Sequence, residues 1–216
     1  MPGLIRSFIC TGFALFSLAA CQSAEVNIPT GSTFASPIGY IPVRQDQPPG
    51  STSLPRGSKL RTLPAGFVSF CLRERDQCAA PNDQPETAHM DEVLWVKLRS
   101  ANDLVNASTT PESDREHYGR AEYWSIVTDG FGDCEDYALT KRKNLIEQGV
   151  PSRSLRIAIV RMPGGERHAV LTVATDKGDY VLDNLRSPIL PWADTGYVWL
   201  SRQGAHGGWE WVALDS

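Results

Sequence analysis

Between residues 155 and 183 the sequence alternates in polarity with a period of two, and this stretch constrains the fold more than any other. Leu155-Arg156-Ile157-Ala158-Ile159-Val160-Arg161-Met162 reads as a strand and stops at Pro163-Gly164-Gly165. Residues 167–175 read as a second strand, Asp176-Lys177-Gly178 as a turn and residues 179–183 as a third strand. Strands joined by such short turns pair antiparallel. Upstream the period is helical. Residues 91–106 put Leu94, Leu98, Ala101 and Val105 on one face of a predicted helix. A second helix is predicted from Cys134, with Asp133 as N-cap and Glu135 and Asp136 in the positive first turn. Lys141, Arg142 and Lys143 lie towards its negative end, and Gly149 with Pro151 stops it. Residues 107–121 are polar and interrupted and read as loop. Helices followed by consecutive hairpin strands predict an α+β fold with an antiparallel sheet.

The chain start speaks to compartment. Arg6 precedes an apolar run from Phe8 to Ala20. That run is shorter than the ~20 residues needed to cross a bilayer, so residues 1–20 read as a signal peptide. It ends in Leu18-Ala19-Ala20-Cys21, which resembles a bacterial lipobox, with Cys21 the lipidated residue and Gln22 matching outer-membrane sorting. Such an anchor tethers a protein to a membrane surface without spanning it. Ordinary cleavage nearby would instead leave a soluble periplasmic protein. Residues 21–65 contain Pro29, Pro37, Pro42, Pro48, Pro49, Pro55 and Pro64 among many Gly, Ser and Thr. Such a stretch buries little apolar surface and reads as a flexible spacer. The folded domain is expected over 66–216. With 25 acidic against 21 basic residues and no basic run, the chain is a poor candidate for binding nucleic acid.

Of five cysteines, Cys10 falls in the leader and Cys21 goes to lipid, leaving Cys71, Cys78 and Cys134. In an oxidising compartment Cys71 and Cys78 most simply form a local disulfide, and Cys134 stays free. The spacing lacks the paired-cysteine units of a structural zinc site. A leftover thiol is a buried hydrophobe, an intermolecular partner or a nucleophile. Its setting, Gly132-Asp133-Cys134-Glu135-Asp136-Tyr137-Ala138, puts it among three carboxylates at a helix start. The helix end favours a thiolate and the carboxylates oppose it. If Asp176-Lys177 is a two-residue loop, Thr175 pairs with Gly178 and His168 lies opposite Leu185. Asp183 is then the diagonal neighbour of His168, within ~7–8 Å at Cα. Singly, the three residues also read as a sheet histidine, a turn former and a core thiol. In this order they supply a nucleophile, a base and an acid that orients the base.

Gly132-Asp133-Cys134-Glu135-Asp136-Tyr137-Ala138, Arg167-His168-Ala169-Val170-Leu171 and Val181-Leu182-Asp183-Asn184 together resemble the bacterial transglutaminase-like cysteine proteinases, which include the LapG-type periplasmic proteases. The resemblance spans roughly residues 66–212. It implies a papain-like, transglutaminase-like fold with a Cys134-His168-Asp183 triad. It also implies Ca2+ dependence, with Asp133 and Glu135 as metal ligands. Characterised LapG-type members cut the N-terminal region of large surface adhesins near paired alanines. The resemblance therefore implies an exported or surface protein as substrate and an inner-membrane regulatory receptor as partner. The lipobox and the segment Ser125-Ile126-Val127-Thr128-Asp129 depart from the LapG-type pattern. A periplasmic cysteine endopeptidase is the expectation. A silent lipoprotein binding module, or an amidase or transglutaminase-type acyl transferase, would use the same cleft.

Overall fold

The computed structural model describes residues 47–214 apart from 56, 58, 80, 207 and 208. The expected signal peptide (1–20), Cys21 and the first part of the expected spacer (21–46) lie outside the described residues. Among the described residues no helix is long and apolar enough to cross a membrane.

Helix α1 (Ala65–Arg73) and the short α2 (Arg75–Cys78) are clipped together by the Cys71–Cys78 disulfide, the pairing expected from the cysteine count. The next helix, α3 (Glu92–Ser108), starts where Asp91 accepts a hydrogen bond from the Leu94 amide, and it buries Leu94, Leu98, Ala101 and Val105 as its periodicity predicts. The stretch expected as loop holds more structure than that. It contains β1 (Thr110–Pro111) and a single-turn helix, α4 (Asp114–His117). Strand β1 pairs in parallel with β2 (Phe131–Gly132), which leads directly into α5 (Cys134–Glu147).

Five further antiparallel pairings build the main sheet, whose spatial order is β6-β5-β4-β3-β7-β8. Its strands are β3 (Leu155–Arg161), β4 (Arg167–Thr175), β5 (Gly178–Leu182), β6 (Leu190–Pro191), β7 (Val198–Gln203) and β8 (Trp211–Ala213). Thr175 pairs with Gly178, the register that a two-residue loop requires. One sheet face packs Ile157, Leu171, Val173 and Leu182 against Leu98, Leu139 and Leu145 of the helices. The other face packs Ala158, Val160, Val170 and Val181 with Trp199 and Leu214. Each fully buried side chain of this kind contributes roughly 1.5–3 kcal/mol.

Leu54 belongs to that second core, which corrects the expected spacer. The described residues between 49 and 64 form a bound strap along the sheet. Ser51 Oγ donates to Asp179 O at 2.7 Å, the Asp179 amide to Thr52 O at 2.9 Å, and Tyr180 OH to Pro49 O at 2.8 Å. Further on, the Arg61 amide donates to Trp211 O and the Ala213 amide to Lys59 O, both at 2.8 Å. The strap covers an apolar sheet face that would otherwise meet water and gives edge backbone groups their partners. Gly178 makes room for it: its φ is +107°, and a Cβ there would sit 2.6 Å from Ser51 C and Thr52 N.

The basic residues expected along the negative end of α5 are not a solvated set. Arg142 is buried and donates to Leu155 O at 3.2 Å and Gln77 O at 2.6 Å. Lys141 is fully buried, and its Nζ has no hydrogen-bond partner among the described residues. Burial pulls its pKa down to about 7, against the opposing effect of Asp183 and Asp103.

Candidate active site

Cys134 is the first residue of α5, at the helix end whose exposed amides favour negative charge. Its thiol donates to Glu135 Oε2 at 3.0 Å, and the Ala169 amide donates to Sγ at 3.4 Å. Burial, then the Glu135 charge, pushes the thiol pKa well above its ordinary value, and the Ala169 bond opposes this only in part.

His168 and Asp183 meet as the β4–β5 register predicts. His168 lies near the start of β4, Asp183 follows the end of β5, and His168 Nε2 is 2.8 Å from Asp183 Oδ1. This bond leaves Nδ1 as the ring nitrogen that can take up a proton. Asp183 is itself held on every side. Its Oδ1 also accepts from the Leu185 amide at 3.0 Å, its Oδ2 from Tyr197 OH at 2.6 Å, and its backbone carbonyl from Asn106 Nδ2 at 2.9 Å. Burial alone would raise the Asp183 pKa, but the His168 and Tyr197 bonds outweigh it and hold the carboxyl below its usual range. Tyr197 is pushed up to about 12 by burial and by the Asp183 bond, so it remains a donor. Its ring also stands edge-on to His168, with centroids 6.0 Å apart. The imidazole is therefore fixed in both tautomer and tilt.

Cys134 and His168 line one cavity of ≈ 470 Å³. Its sheet side is formed by cross-strand neighbours, with Ile159 between Ala169 and Ser201 and the pair Arg161–Arg167 beside them. Leu63 and Pro64 of the strap and the buried Trp124 complete the walls.

Beneath the helix start lies a second constellation. Asp133 occupies the N-cap position but makes no cap hydrogen bond, and its Oδ2 faces the Asp114 amide at 3.4 Å. One oxygen of Asp136 accepts from the Ser125 amide at 2.6 Å, and one of Asp114 from the Tyr123 amide. The remaining oxygens, Asp114 Oδ1, Asp133 Oδ1 and Asp136 Oδ2, are buried without a hydrogen-bond partner. Asp114, Asp133 and Asp136 each offer a ligand atom, and these atoms lie within 4.8 Å of one another. Three clustered carboxylates, each with one buried oxygen left without a partner among the described residues, suit a hard divalent cation. Burial first, then neighbouring carboxylates, raises Asp136 to about 7 and Glu135 to about 8. Of the two metal ligands expected, Asp133 sits in this group. Glu135 is turned to the thiol and forms a separate group with Asp133 and Cys134. Gly132 permits the arrangement, since a Cβ there would lie 2.9 Å from Asp136 Cβ.

Asp114 and Tyr197 are the residues that sequence reasoning passed over. Asp114 had a signal: Ser113 and Glu116 form a capping box, with Ser113 Oγ accepting the Glu116 amide and donating to Glu116 Oε2. That pair marks a helix start inside the supposed loop. Tyr197 had no comparable signal, because it reaches Asp183 only through the fold of residues 184–197.

The sequence pattern that defines the bacterial transglutaminase-like cysteine proteinases (BTLCP) matches residues 58–216. The chain belongs to this family. The helices-then-antiparallel-sheet architecture agrees with the transglutaminase-like fold expected of it. Among solved structures, the chain is similar to calcium-bound LapG of Legionella pneumophila, with 30% identity over 56% of this chain and 69% of that one and a TM-score of 0.48. The EGTA-treated form of that protein gives 30% identity, 56% and 67% coverage and a TM-score of 0.48. No curated protein sequence matches the chain.

Proposed function

We propose that this protein is an exported, Ca2+-dependent cysteine endopeptidase. Cys134 is the nucleophile, His168 the base and Asp183 the residue that orients it. The observation that carries the reading is that His168, held by the buried Asp183, lines the same cavity as a thiol at a helix start. A base fixed by a third group is the recurring design of an activated nucleophile.

His168 accepts the Cys134 proton, and Asp183, steadied by Tyr197, favours the resulting imidazolium. The Ala169 amide stabilises the thiolate sulfur. The sulfur attacks the substrate carbonyl, and the Cys134 amide at the first turn of α5 donates to the oxyanion. The imidazolium returns its proton to the leaving amine, and water then frees the acyl group. Asp114, Asp133 and Asp136 are the residues that would hold Ca2+. When bound, the ion supplies positive charge that favours the ionised carboxylates and lowers the cost of a thiolate beside them.

The decisive measurement is the alkylation rate of Cys134 by iodoacetamide at neutral pH in excess Ca2+. The expected rate exceeds that of a free model thiol and collapses in His168→Ala. A Cys134 that reacts no faster than the model thiol, with His168→Ala unchanged, would overturn the enzyme reading. The leader and lipobox support an outer-membrane lipid anchor at Cys21 and an exported or surface protein as substrate. An inner-membrane regulatory receptor belongs to the same reading by family analogy. Cys21→Ala should then move the protein from the membrane fraction to the soluble periplasmic fraction.

A further inference from the structure

Three arginines line the cavity that holds Cys134 and His168: Arg61 from the strap, Arg161 at the end of β3 and Arg167 at the start of β4. All three are exposed, and none has an ion-pair or side-chain hydrogen-bond partner among the described residues. Arg161 and Arg167 are direct cross-strand partners. Like charges in that position repel and weaken a hairpin. The same cavity has two acids, and both are engaged: Glu122 Oε2 accepts from Trp124 Nε1 at 3.1 Å, and Glu135 from the thiol at 3.0 Å. The chain as a whole carries a net charge of −4. Unpaired cations are thus gathered at the cleft of an acidic protein, in an arrangement that folding alone does not favour.

We propose that the cleft selects peptide segments carrying Asp or Glu beside the scissile bond, with Arg61, Arg161 and Arg167 as the specificity-determining residues. This rests on the cysteine-endopeptidase reading above. A guanidinium binds a carboxylate through two parallel hydrogen bonds, which gives direction as well as charge. A neutral peptide would leave Arg161 and Arg167 repelling each other. An acidic side chain placed near them relieves that repulsion, so part of the binding energy is available only to the acidic substrate. On a protein of net negative charge the arginines also form the local attraction that draws such a segment to the cleft.

The test uses two alkylating agents that differ mainly in charge, anionic iodoacetate and neutral iodoacetamide, on the Ca2+-loaded protein. The ratio of their rate constants at Cys134 is compared with the ratio for the neutral thiol 2-mercaptoethanol. The ratio should fall by about fivefold in Arg161→Gln/Arg167→Gln, the scale of an exposed charge pair, and should fall in the unaltered protein as salt is raised. In parallel, a peptide mixture of random sequence is digested and the cut sites are read by mass spectrometry. Asp or Glu should be enriched near the cut and lose that enrichment in the double variant. A ratio indifferent to both salt and the double substitution, with Cys134 still activated by His168, overturns the acidic-substrate proposal and leaves the endopeptidase standing. Cleavage without acidic enrichment overturns it as well. A thiol with no activation towards either reagent removes both.

Discussion

At the scale of single residues, Asp183 gathers more interactions than any other part of the site, and its carboxylate can act only while ionised. Tyr197 supplies one of the bonds that keep it so. Tyr197→Phe removes that donor, which raises the Asp183 pKa, so protonation sets in at a higher pH. The acid limb of kcat/KM should therefore move to higher pH, with an overall drop of about tenfold, the scale of one hydrogen bond to a charged group. An unmoved acid limb would show that Tyr197 merely packs. Lys141 presents the opposite case, a charge that no described residue hydrogen-bonds. Its folded pKa of about 7 lies below its ordinary value of 10.5, so the unfolded chain binds more protons between those limits. Stability should thus rise with pH across that window in the natural protein, and the rise should be absent in Lys141→Met. At neutral pH the methionine variant should be more stable, by about 1–4 kcal/mol, since it replaces a buried unpaired charge with an apolar chain of similar volume. Denaturant midpoints at pH 7 and pH 9.5 check both statements. Cys134, His168 and Asp183 were legible in the sequence because each is tied to a local signal: a helix start, a strand start, and a register fixed by a two-residue turn. Tyr197 was not, because its role depends on a chain path that no short-range pattern encodes.

At the scale of elements, the start of α5 combines the candidate nucleophile with the acid cluster. Three carboxylates there have raised pKa values: Asp133, pushed up by burial and by Asp114, Asp136 at about 7 and Glu135 at about 8. The folded state consequently holds protons that the unfolded state has released, and stability contributed at low pH is lost as pH rises through those values. In EGTA the melting temperature should fall by several degrees between pH 5 and pH 8. Excess Ca2+ should remove that slope, because the cation takes over the neutralisation. Asp114→Asn should abolish the calcium-dependent shift in melting temperature, whereas Glu135→Gln should retain most of it, since Glu135 faces the thiol. Equal melting curves with and without Ca2+ would count against the cluster as a cation site. The two longest helices, α3 and α5, were well marked in the sequence by caps and periodicity, and so were strands β3, β4 and β5, whereas α1 and α2 were not marked. The flanking strands were not. Strand β6 has two residues and β8 three, too short for any alternation to show. Asp114 stood between the two cases, since a helix of one turn has no period to read and only its Ser113–Glu116 cap marked it.

At the scale of the whole molecule, the two-sided burial of the sheet decides where the domain begins. A sheet packed on one face could have started at the first helix. This one has a second core, and Leu54 and Leu214 reach it from opposite ends of the folded chain. Leu54→Ala should therefore cost about 2–5 kcal/mol, as for other buried leucines, despite lying in a stretch whose composition reads as spacer. The Pro, Gly and Ser content of that stretch was legible but misleading. An extended strap needs no helical or alternating period, and its attachment is made mostly through backbone groups and one apolar plug. Reduction of Cys71–Cys78 should lower stability by only about 2 kcal/mol, as expected for so short a loop. The strap therefore matters at least as much to the fold as the covalent link.

The strap has a practical consequence for where the protein can be cut. A shortened version beginning at residue 66 would keep Cys134, His168, Asp183 and the acid cluster. It would also strip the covering from one sheet face and remove Arg61, Leu63 and Pro64 from the rim of the cavity. Such a fragment should aggregate or report a misleadingly open specificity, whereas one that keeps the strap should retain the covered face and the full rim of the cavity. An endogenous protease that nicks the strap between residues 49 and 55 would in the same way disable the domain without touching Cys134, His168 or Asp183.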